Sequence, residues 1–351
     1  MARVQWILVG LLLLGCSSPS GGEPSGAAGA PAEPDPPAEP EAEPPPSCPV
    51  NAVACNDACL SEVGEEGSGC RVLSVDAGPV RSMIRYLDHL ILGYDNHIER
   101  IDLATLERTV VARLHDEVRS VGNLQLIGDD LYFSTIDEAL NQPTLERVPA
   151  LGGQVARLAE LEVLVWWIRA QGPMLYFRDG RLAGTVHAYD TTSGVIRDLG
   201  IDGMQLEIYG DVAYHTTYSS AEPFMVSPLS DLENTSVVME RAPFQFFPVE
   251  GGVYWLRDEP EYWWVSAVGG EPRLVQTFDP PVEALEESGG RLLLARETAA
   301  TVEFLTMPLE GSELTRVSRF HAAPLWPGSK LTPTDLFHVV DQRFLLQVAL
   351  P

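Results

Sequence analysis

The sequence predicts an all-β fold, a seven-bladed β-propeller of four-stranded blades closed by an N-terminal strand. Three observations support this prediction. Apolar strand-like segments recur about every forty residues from residue 71 to the end of the 351-residue chain. Glycine-containing turns follow these segments in a regular order. Helical periodicity over eleven or more residues is absent from this region.

The chain begins with the features of an export signal. Arg3 precedes an apolar run that ends in Leu13-Leu14-Gly15-Cys16, and the run is too short to remain as a membrane-spanning helix. These four residues resemble the lipobox of bacterial lipoproteins. The resemblance implies that residues 1–15 are removed and that Cys16 is lipidated. The outer membrane is the expected destination, since no Asp follows Cys16; the alternative is an ordinary secretory peptide.

Residues 16–47 are predicted to be a disordered tether behind the lipidated cysteine. Residues 17–47 contain ten prolines and six acidic residues, and no basic residue occurs between Arg3 and Arg71. Such a composition buries too little apolar surface to offset the entropy of ordering, so the chain stays extended. We therefore expect a spacer that holds a folded domain away from a membrane.

Residues 48–70 contain an even set of cysteines in an exported context. Cys48, Cys55, Cys59 and Cys70 are predicted to form two disulfides, for which three pairings are open. A zinc site is the alternative, although the spacing lacks the paired C-x2-C knuckles typical of one.

The repeat is clearest in seven apolar strand segments. Their anchor residues recur at intervals of 37 to 44 residues with a mean of 41, the period of a propeller blade. The anchors are Leu90, Leu131, Leu175, Val212, Val253, Leu292 and Leu336. Outer strands are predicted after the glycine turns, at 155–158, 195–199, 273–278 and 314–320.

The two ends of the 71–351 region complement each other. The last unit has predicted strands near 331–334, 335–340 and 343–350 but no outer strand, whereas Arg71–Val75 is a strand without a blade of its own. Pairing these segments would close the ring and satisfy open edge groups. The cysteine segment would then lie beside the seam.

Sequence segments such as Val253-Tyr-Trp-Leu-Arg-Asp258, followed by residues 265–272, resemble the blade sequences of propeller lipoproteins from δ-proteobacteria and myxobacteria. The resemblance covers residues 71–351 and implies blades related to TolB-type and YWTD-type propellers. Blades 1, 4 and 6 depart from it, because they lack the aromatic pair and the double glycine. The WD40 Gly-His and Trp-Asp pairs are absent throughout.

One propeller face is predicted to collect polar side chains, because the loop between the middle strands and the loop entering the next blade emerge together. The predicted binding face consists of Asp95, His97, His115, Asp137, Arg178, Asp179, Arg257, Asp258, Tyr262 and Asp341. Paired arginines and acids at a channel mouth suit a protein, a polar small molecule or a carbohydrate. Solvated loop tips are the alternative explanation.

Composition and motifs limit the function further. The formal net charge of −27 disfavours nucleic acid as a partner. The sequence predicts neither a metal site nor a cofactor, and it contains no serine nucleophile elbow or phosphate loop. We expect a membrane-anchored, non-enzymatic binding scaffold in the cell envelope. The alternative is a propeller hydrolase or lyase that uses acids and histidines at the channel mouth.

Overall fold

The computed structural model describes residues 48–49, 52–56, 58–114, 121–137, 142–162, 165–179, 184–202, 205–216, 223–232, 234–241, 243, 245–256, 261–279, 282–297, 301–311, 313–320, 329–340 and 342–350. Within these ranges the regular structure is entirely β-strand. The predicted signal, Cys16 and the tether lie outside the described residues.

Four short strands form the N-terminal segment, at β1 (Val53–Cys55), β2 (Ala58–Leu60), β3 (Glu66–Gly67) and β4 (Cys70–Ser74).

Six four-stranded antiparallel blades follow in chain order. Blade 1 consists of β5 (Ser82–Tyr86), β6 (His89–Gly93), β7 (His97–Asp102) and β8 (Arg108–Arg113), and blade 2 of β9 (Gly122–Ile127), β10 (Asp130–Asp137), β11 (Gln142–Pro149) and β12 (Ala156–Glu160). Blade 3 consists of β13 (Val165–Gln171), β14 (Met174–Asp179), β15 (Thr185–Asp190) and β16 (Ile196–Asp202), and blade 4 of β17 (Gln205–Tyr209), β18 (Val212–Thr216), β19 (Phe224–Pro228) and β20 (Ser236–Met239). Blade 5 consists of β21 (Gln245–Val249), β22 (Gly252–Leu256), β23 (Glu261–Ser266) and β24 (Arg273–Thr277), and blade 6 of β25 (Glu283–Ser288), β26 (Arg291–Glu297), β27 (Val302–Pro308) and β28 (Thr315–Phe320).

The seventh blade joins the two ends of the chain. Its strands β29 (Ser329–Leu331), β30 (Asp335–Val340) and β31 (Phe344–Ala349) come from the C-terminal part, and β4 adds to β31 as the outer strand. Leu346 pairs with Val72 and Gln347 with Arg71. The predicted closure by the N-terminal strand is confirmed.

One strand of this blade differs from the prediction. The inner strand is β29, whereas a strand was expected near 331–334. Thr332 ends it by turning the chain: its Oγ1 donates to the carbonyl of Asp335 at 3.0 Å and accepts from the amide of Asp335 at 3.0 Å. These bonds close the hairpin to β30, so residues 332–334 belong to a turn.

The core lies between neighbouring blades. All seven anchors fall on the second strand of a blade, and six of them are fully buried, while Val212 is half-buried. Ile91 of blade 1, for example, packs in one cluster with Leu131 and Phe133 of blade 2. Burial of this kind stabilises each blade pair by roughly 25 cal/mol per Å² of apolar surface.

The cysteine segment spans the seam between blades 6 and 7. Cys55 in β1 pairs with Phe320 in β28, which extends blade 6, while β3 pairs with β4 of blade 7. The disulfides are Cys48–Cys59 and Cys55–Cys70. The second bond therefore connects the added strand of blade 6 to the closing strand of blade 7.

Polar contacts link neighbouring blades. Arg85 of blade 1 reaches Asp335 of blade 7 at 2.8 Å, and Arg169 of blade 3 reaches Glu207 of blade 4 at 3.1 Å. Lys330 of blade 7 forms an ion pair with Glu286 of blade 6. These pairs offset charge within the channel and fix the blades relative to one another.

Candidate functional site

The meander of each blade gives the ring two different faces. The second strand ends, the third begins and the fourth ends at one of them, which we call the loop face. The hairpins between first and second strands and the turns between third and fourth strands lie at the opposite turn face. The residues of the predicted binding face come from strands and junctions at the loop face.

Asp95 lies at the loop face of blade 1, between β6 and β7. Nε of Arg81 donates to Oδ1 of Asp95 at 2.7 Å, and Nη2 donates to Oδ2 at 3.2 Å. The Asp95 carboxylate raises the pKa of Arg81 through this hydrogen bond. Both side chains are about half exposed, so the pair is accessible to a polar partner.

His97 is held within a small network beside Asp95. Its ring stacks on Tyr94 with centroids 4.5 Å apart and planes 7° apart. Nδ1 lies 2.6 Å from Oδ1 of Asn96, and Nε2 lies 3.2 Å from Oε1 of Glu99. Both ring nitrogens are therefore engaged within the blade. This arrangement fixes the position of the imidazole within the blade.

Arg108 completes this network from the outer strand of the blade. It donates to Oε2 of Glu99 and, through Nη1, to Oγ of Ser74 on the closing strand at 3.1 Å. Burial raises the pKa of Tyr94 to about 12, although the nearby Arg108 opposes that shift. The network thus connects blade 1 to the seam.

Two residues of the predicted binding face are buried within the blades. Arg178 on β14 is 2% exposed, and Tyr262 on β23 is fully buried. Tyr262 stacks on Tyr254 with centroids 5.4 Å apart, and burial raises the pKa of its hydroxyl. Neither side chain reaches the surface, contrary to the expectation that both lie at the channel mouth.

The remaining predicted residues are described only in part. Asp137 and Asp179 are the last residues of β10 and β14, so their backbones reach the loop face. Four residues lie outside the described ranges, namely His115, Arg257, Asp258 and Asp341. Their role in binding stays a prediction.

The loop face of blade 6 carries a group of charges that the sequence reasoning missed. Arg296 on β26 and Arg319 on β28 flank Glu303 on β27, and Arg316 on β28 lies 3.7 Å from the same carboxylate. We call these three arginines, together with Glu303, the arginine cluster. Its signal was the set of charged residues along β26, β27 and β28, but only the cross-strand register brings them together.

The hydrogen bonds of the arginine cluster are divided between the two carboxylate oxygens. Nε and Nη2 of Arg296 donate to Oε2 of Glu303, at 3.0 and 2.5 Å. Nε and Nη2 of Arg319 donate to Oε1, at 2.9 and 2.6 Å. Burial would raise the pKa of Glu303, but these guanidinium hydrogen bonds outweigh it and lower that pKa. Glu303 therefore remains ionised.

The cysteine segment supports this cluster from outside the blade. The amide of Asn56 donates to the carbonyl of Arg319 at 2.9 Å, and the amide of Arg319 donates to Oδ1 of Asn56 at 3.0 Å. Nδ2 of Asn56 donates to the carbonyl of Ser68 at 2.8 Å. These bonds fix the backbone from which the Arg319 side chain extends.

A crevice of about 500 Å³ lies at the turn face of blade 7, beside the seam. Two of its polar lining residues, Arg71 and Asp335, are bonded to other parts of the protein. Nη1 of Arg71 donates to the carbonyl of Leu103 at 2.9 Å, and Asp335 accepts from Arg85 and from Gln347, each at 2.8 Å. The crevice is therefore better explained as part of ring closure than as a ligand site.

Two further features concern the described part of the chain: clusters of potential metal ligands and membrane-spanning helices. No group of three or more His, Cys, Asp or Glu side chains there could hold a metal ion. That part of the chain also has no helix long and apolar enough to cross a membrane.

The comparisons with known proteins identify a fold but no family. No protein-family model matches the chain, and no curated protein matches it significantly. A structure of the Mitotic Checkpoint Complex matches at 12% identity with a TM-score of 0.56, covering 80% of this chain and 91% of that one. The WD40 β-propeller domain of Doa1 matches at 11% identity and 0.55, covering 78% and 93%.

YCF48 bound to D1 peptide is also similar in structure. It shares 11% identity with a TM-score of 0.54, and the match covers 82% of this chain and 99% of that one. At such low identity these similarities show the seven-bladed propeller fold alone.

Proposed function

We propose that this protein is a membrane-anchored, extracytoplasmic lipoprotein whose propeller binds a protein partner as a non-enzymatic scaffold. The observation that carries the proposal is a closed ring that presents strand ends from seven blades on one face. A rigid framework that displays many loops on one side suits recognition of a protein surface or peptide. His97, which the hydrolase or lyase alternative would use, is engaged with Tyr94, Asn96 and Glu99.

Similar propellers support the choice of a protein partner. The YCF48 structure contains a D1 peptide, and another similar propeller belongs to the Mitotic Checkpoint Complex. By analogy we expect a protein partner for this chain, and we expect it at the loop face because the exposed Arg81–Asp95 pair lies there. The identity of that partner does not follow from the fold.

Three features support export and anchoring. The lipobox-like segment ends in Cys16, and the proline-rich tether behind it could extend ~90 Å at ~3.1 Å per residue. All four cysteines between residues 48 and 70 are paired, as is typical of an oxidising compartment. An acyl-modified Cys16 and this tether would hold the propeller clear of a membrane surface.

Replacing Cys16 tests the anchor. The variant Cys16→Ala should move from the membrane fraction to the soluble fraction and lose incorporation of a labelled fatty acid, because no acceptor thiol remains. Cys48→Ala is the matched control, since it removes a different cysteine and should leave partitioning unchanged. Unaltered acyl labelling of Cys16→Ala would contradict lipidation at this residue.

Site-specific crosslinking tests the binding face. A photoreactive residue is placed at Asp95 on the loop face or at Asp211 on the turn face, both of which are exposed. The full-length protein in its own envelope should form a discrete crosslinked product from Asp95 but not from Asp211. The crosslinked protein, once identified and purified, should bind the full-length chain directly in solution. Crosslinking from both positions alike, or none from Asp95, would contradict the proposal.

A further inference from the structure

We propose that the arginine cluster of blade 6 is an anion subsite of the loop face, which binds a side-chain carboxylate on an acidic segment of a protein partner. This inference deepens the proposed function and rests on it, because it assigns chemistry to part of the same face.

The first argument is an excess of positive charge where the rest of the chain is acidic. The sequence has 50 acidic residues against 23 lysines and arginines, yet three guanidinium groups surround the single carboxylate of Glu303. One arginine would suffice to neutralise that carboxylate. The local excess is two positive charges, and an anion at this point would reduce the mutual repulsion of the guanidiniums.

The second argument concerns unused donors. Arg296 and Arg319 each use Nε and Nη2 on Glu303, and their Nη1 groups have no hydrogen-bond partner among the described residues. Arg316 forms only the 3.7 Å ion pair, so within the described ranges its fork of donors makes no hydrogen bond. Guanidinium groups bind carboxylates through two parallel N–H donors, and this cluster retains such donors.

The third argument is accessibility combined with rigidity. The side chains of Arg296, Arg316 and Arg319 are 26%, 54% and 31% exposed, whereas that of Glu303 is 6% exposed. A ligand can therefore reach the cations but not the buried carboxylate. Because Glu303 orients two of the guanidiniums, and Asn56 fixes the backbone of Arg319, little side-chain entropy remains to be lost on binding.

The geometry within the cluster indicates a carboxylate. Glu303 accepts from Arg296 at Oε2 and from Arg319 at Oε1, so these two guanidiniums are already oriented towards a planar two-oxygen group. The same N–H groups could donate to a phosphate oxygen, and inorganic phosphate is therefore included as a separate arm of the test. The acidic surface elsewhere would keep an acidic segment on the cluster and away from neighbouring blades.

The experiment uses the full-length protein and a fluorescein-labelled peptide with four glutamates alternating with glycine. Fluorescence anisotropy compares this peptide with its glutamine counterpart. The test variant is Arg316→Gln, because Arg316 is exposed and makes no hydrogen bond to Glu303. The matched control is Arg157→Gln, which removes an equal charge from a 45% exposed arginine on the outer strand of blade 2.

The glutamate peptide should bind the wild type about tenfold more tightly than the glutamine peptide, and Arg316→Gln should weaken its binding about fivefold. Arg157→Gln should leave that affinity within about twofold, and an unchanged melting temperature should show that Arg316→Gln is folded. Acetate serves as the matched carboxylate. Inorganic phosphate should displace the peptide only at concentrations at which acetate also displaces it.

Three results would overturn the inference: equal binding of both peptides, equal effects of Arg316→Gln and Arg157→Gln, or saturable phosphate binding without peptide binding. The proposed function would be contradicted by a different result, namely the loss of face-specific crosslinking from Asp95. The two readouts are independent, so the failure of one is distinguishable from the failure of the other.

Discussion

His215 is a residue whose burial links pH to stability. It lies on β18 with 2% of its surface exposed, and Nε2 is 3.0 Å from Oγ of Ser227, which in turn is 2.9 Å from Oγ1 of Thr235. Burial lowers the pKa of His215 to about 4 from its ordinary value of 6.5. The folded protein therefore keeps this imidazole neutral at pH values where the unfolded chain binds a proton.

The sign of the resulting pH dependence follows directly. The contribution of neutral His215 to the free energy of unfolding is complete above pH 6.5 and is lost as the pH falls towards 4. At pH 5 this loss is about 2 kcal/mol. The variant His215→Gln retains a polar group near Nε2 but cannot titrate. Urea denaturation at pH 7.5 and pH 5.0 should show a smaller loss for His215→Gln than for the wild type. Parallel losses in the two proteins would contradict this explanation.

Strands and turns were predictable because their signals are local. Leu131 and Leu292 each begin a short unbroken apolar run, and glycines such as Gly194 and Gly311 have the positive φ that ends a hairpin. The repetition of these signals predicted the number of blades. The incomplete last unit and the spare N-terminal strand together predicted the closing strand. The strand near 331–334 was misplaced, because the Thr332 hydroxyl that forms the turn leaves no trace in apolar periodicity.

Side-chain partners were not predictable, because they depend on register between strands. Glu303 meets Arg296 seven residues earlier and Arg319 sixteen residues later, and no spacing rule indicates this pairing. The burial of Arg178 is likewise not indicated by its own segment of sequence. The disulfide pairing remained open for the same reason, since β1 must first align with β28.

The two disulfides should contribute unequally to stability. Their loops span 11 and 15 residues, so chain entropy alone predicts values within ~0.3 kcal/mol of each other. Cys55 and Cys70, however, are 0% and 2% exposed within the core between blades 6 and 7, whereas Cys48 and Cys59 are partly exposed. Cys55→Ala/Cys70→Ala should therefore lose more stability, about 3 to 5 kcal/mol in all.

Thermal denaturation of the two double variants is the measurement, with Cys48→Ala/Cys59→Ala as the matched control of equal cysteine number. The Cys55→Ala/Cys70→Ala variant should melt several degrees below the control. Hydrogen exchange should increase first in β4 and β31, where the seam opens. Equal melting temperatures would show that the crosslink between blades adds nothing beyond loop entropy.

At the scale of the whole molecule, stability depends on closing the ring. Each blade buries its two faces against its neighbours, so an incomplete seventh blade would expose apolar surface on both sides of the seam. Val72 packs in the cluster shared with blade 6, and Leu73 packs in the cluster shared with blade 1. The closing strand therefore contributes to two interfaces through adjacent residues, as expected from the alternation of side chains in a strand.

The closing strand should thus be essential for stability, while the tether should not. Deleting residues 17–47 should leave the melting temperature nearly unchanged, because their composition predicts no packed contacts. Val72→Asp or Leu73→Asp in the full-length chain should each lose at least ~4 kcal/mol or give insoluble protein, because either change buries an unpaired charge. Deletion through residue 76 should have the same effect, since it also removes the edge strand and the disulfides.

The matched control is Val237→Asp, the same substitution on the outer strand of blade 4, where the side chain is 56% exposed. It should change the free energy of unfolding by less than ~0.5 kcal/mol. Comparing it with Val72→Asp separates closure from any general effect of adding a charge to an outer strand. If Val72→Asp and Leu73→Asp melt like Val237→Asp, the ring does not depend on β4, and the energetic account of closure is wrong.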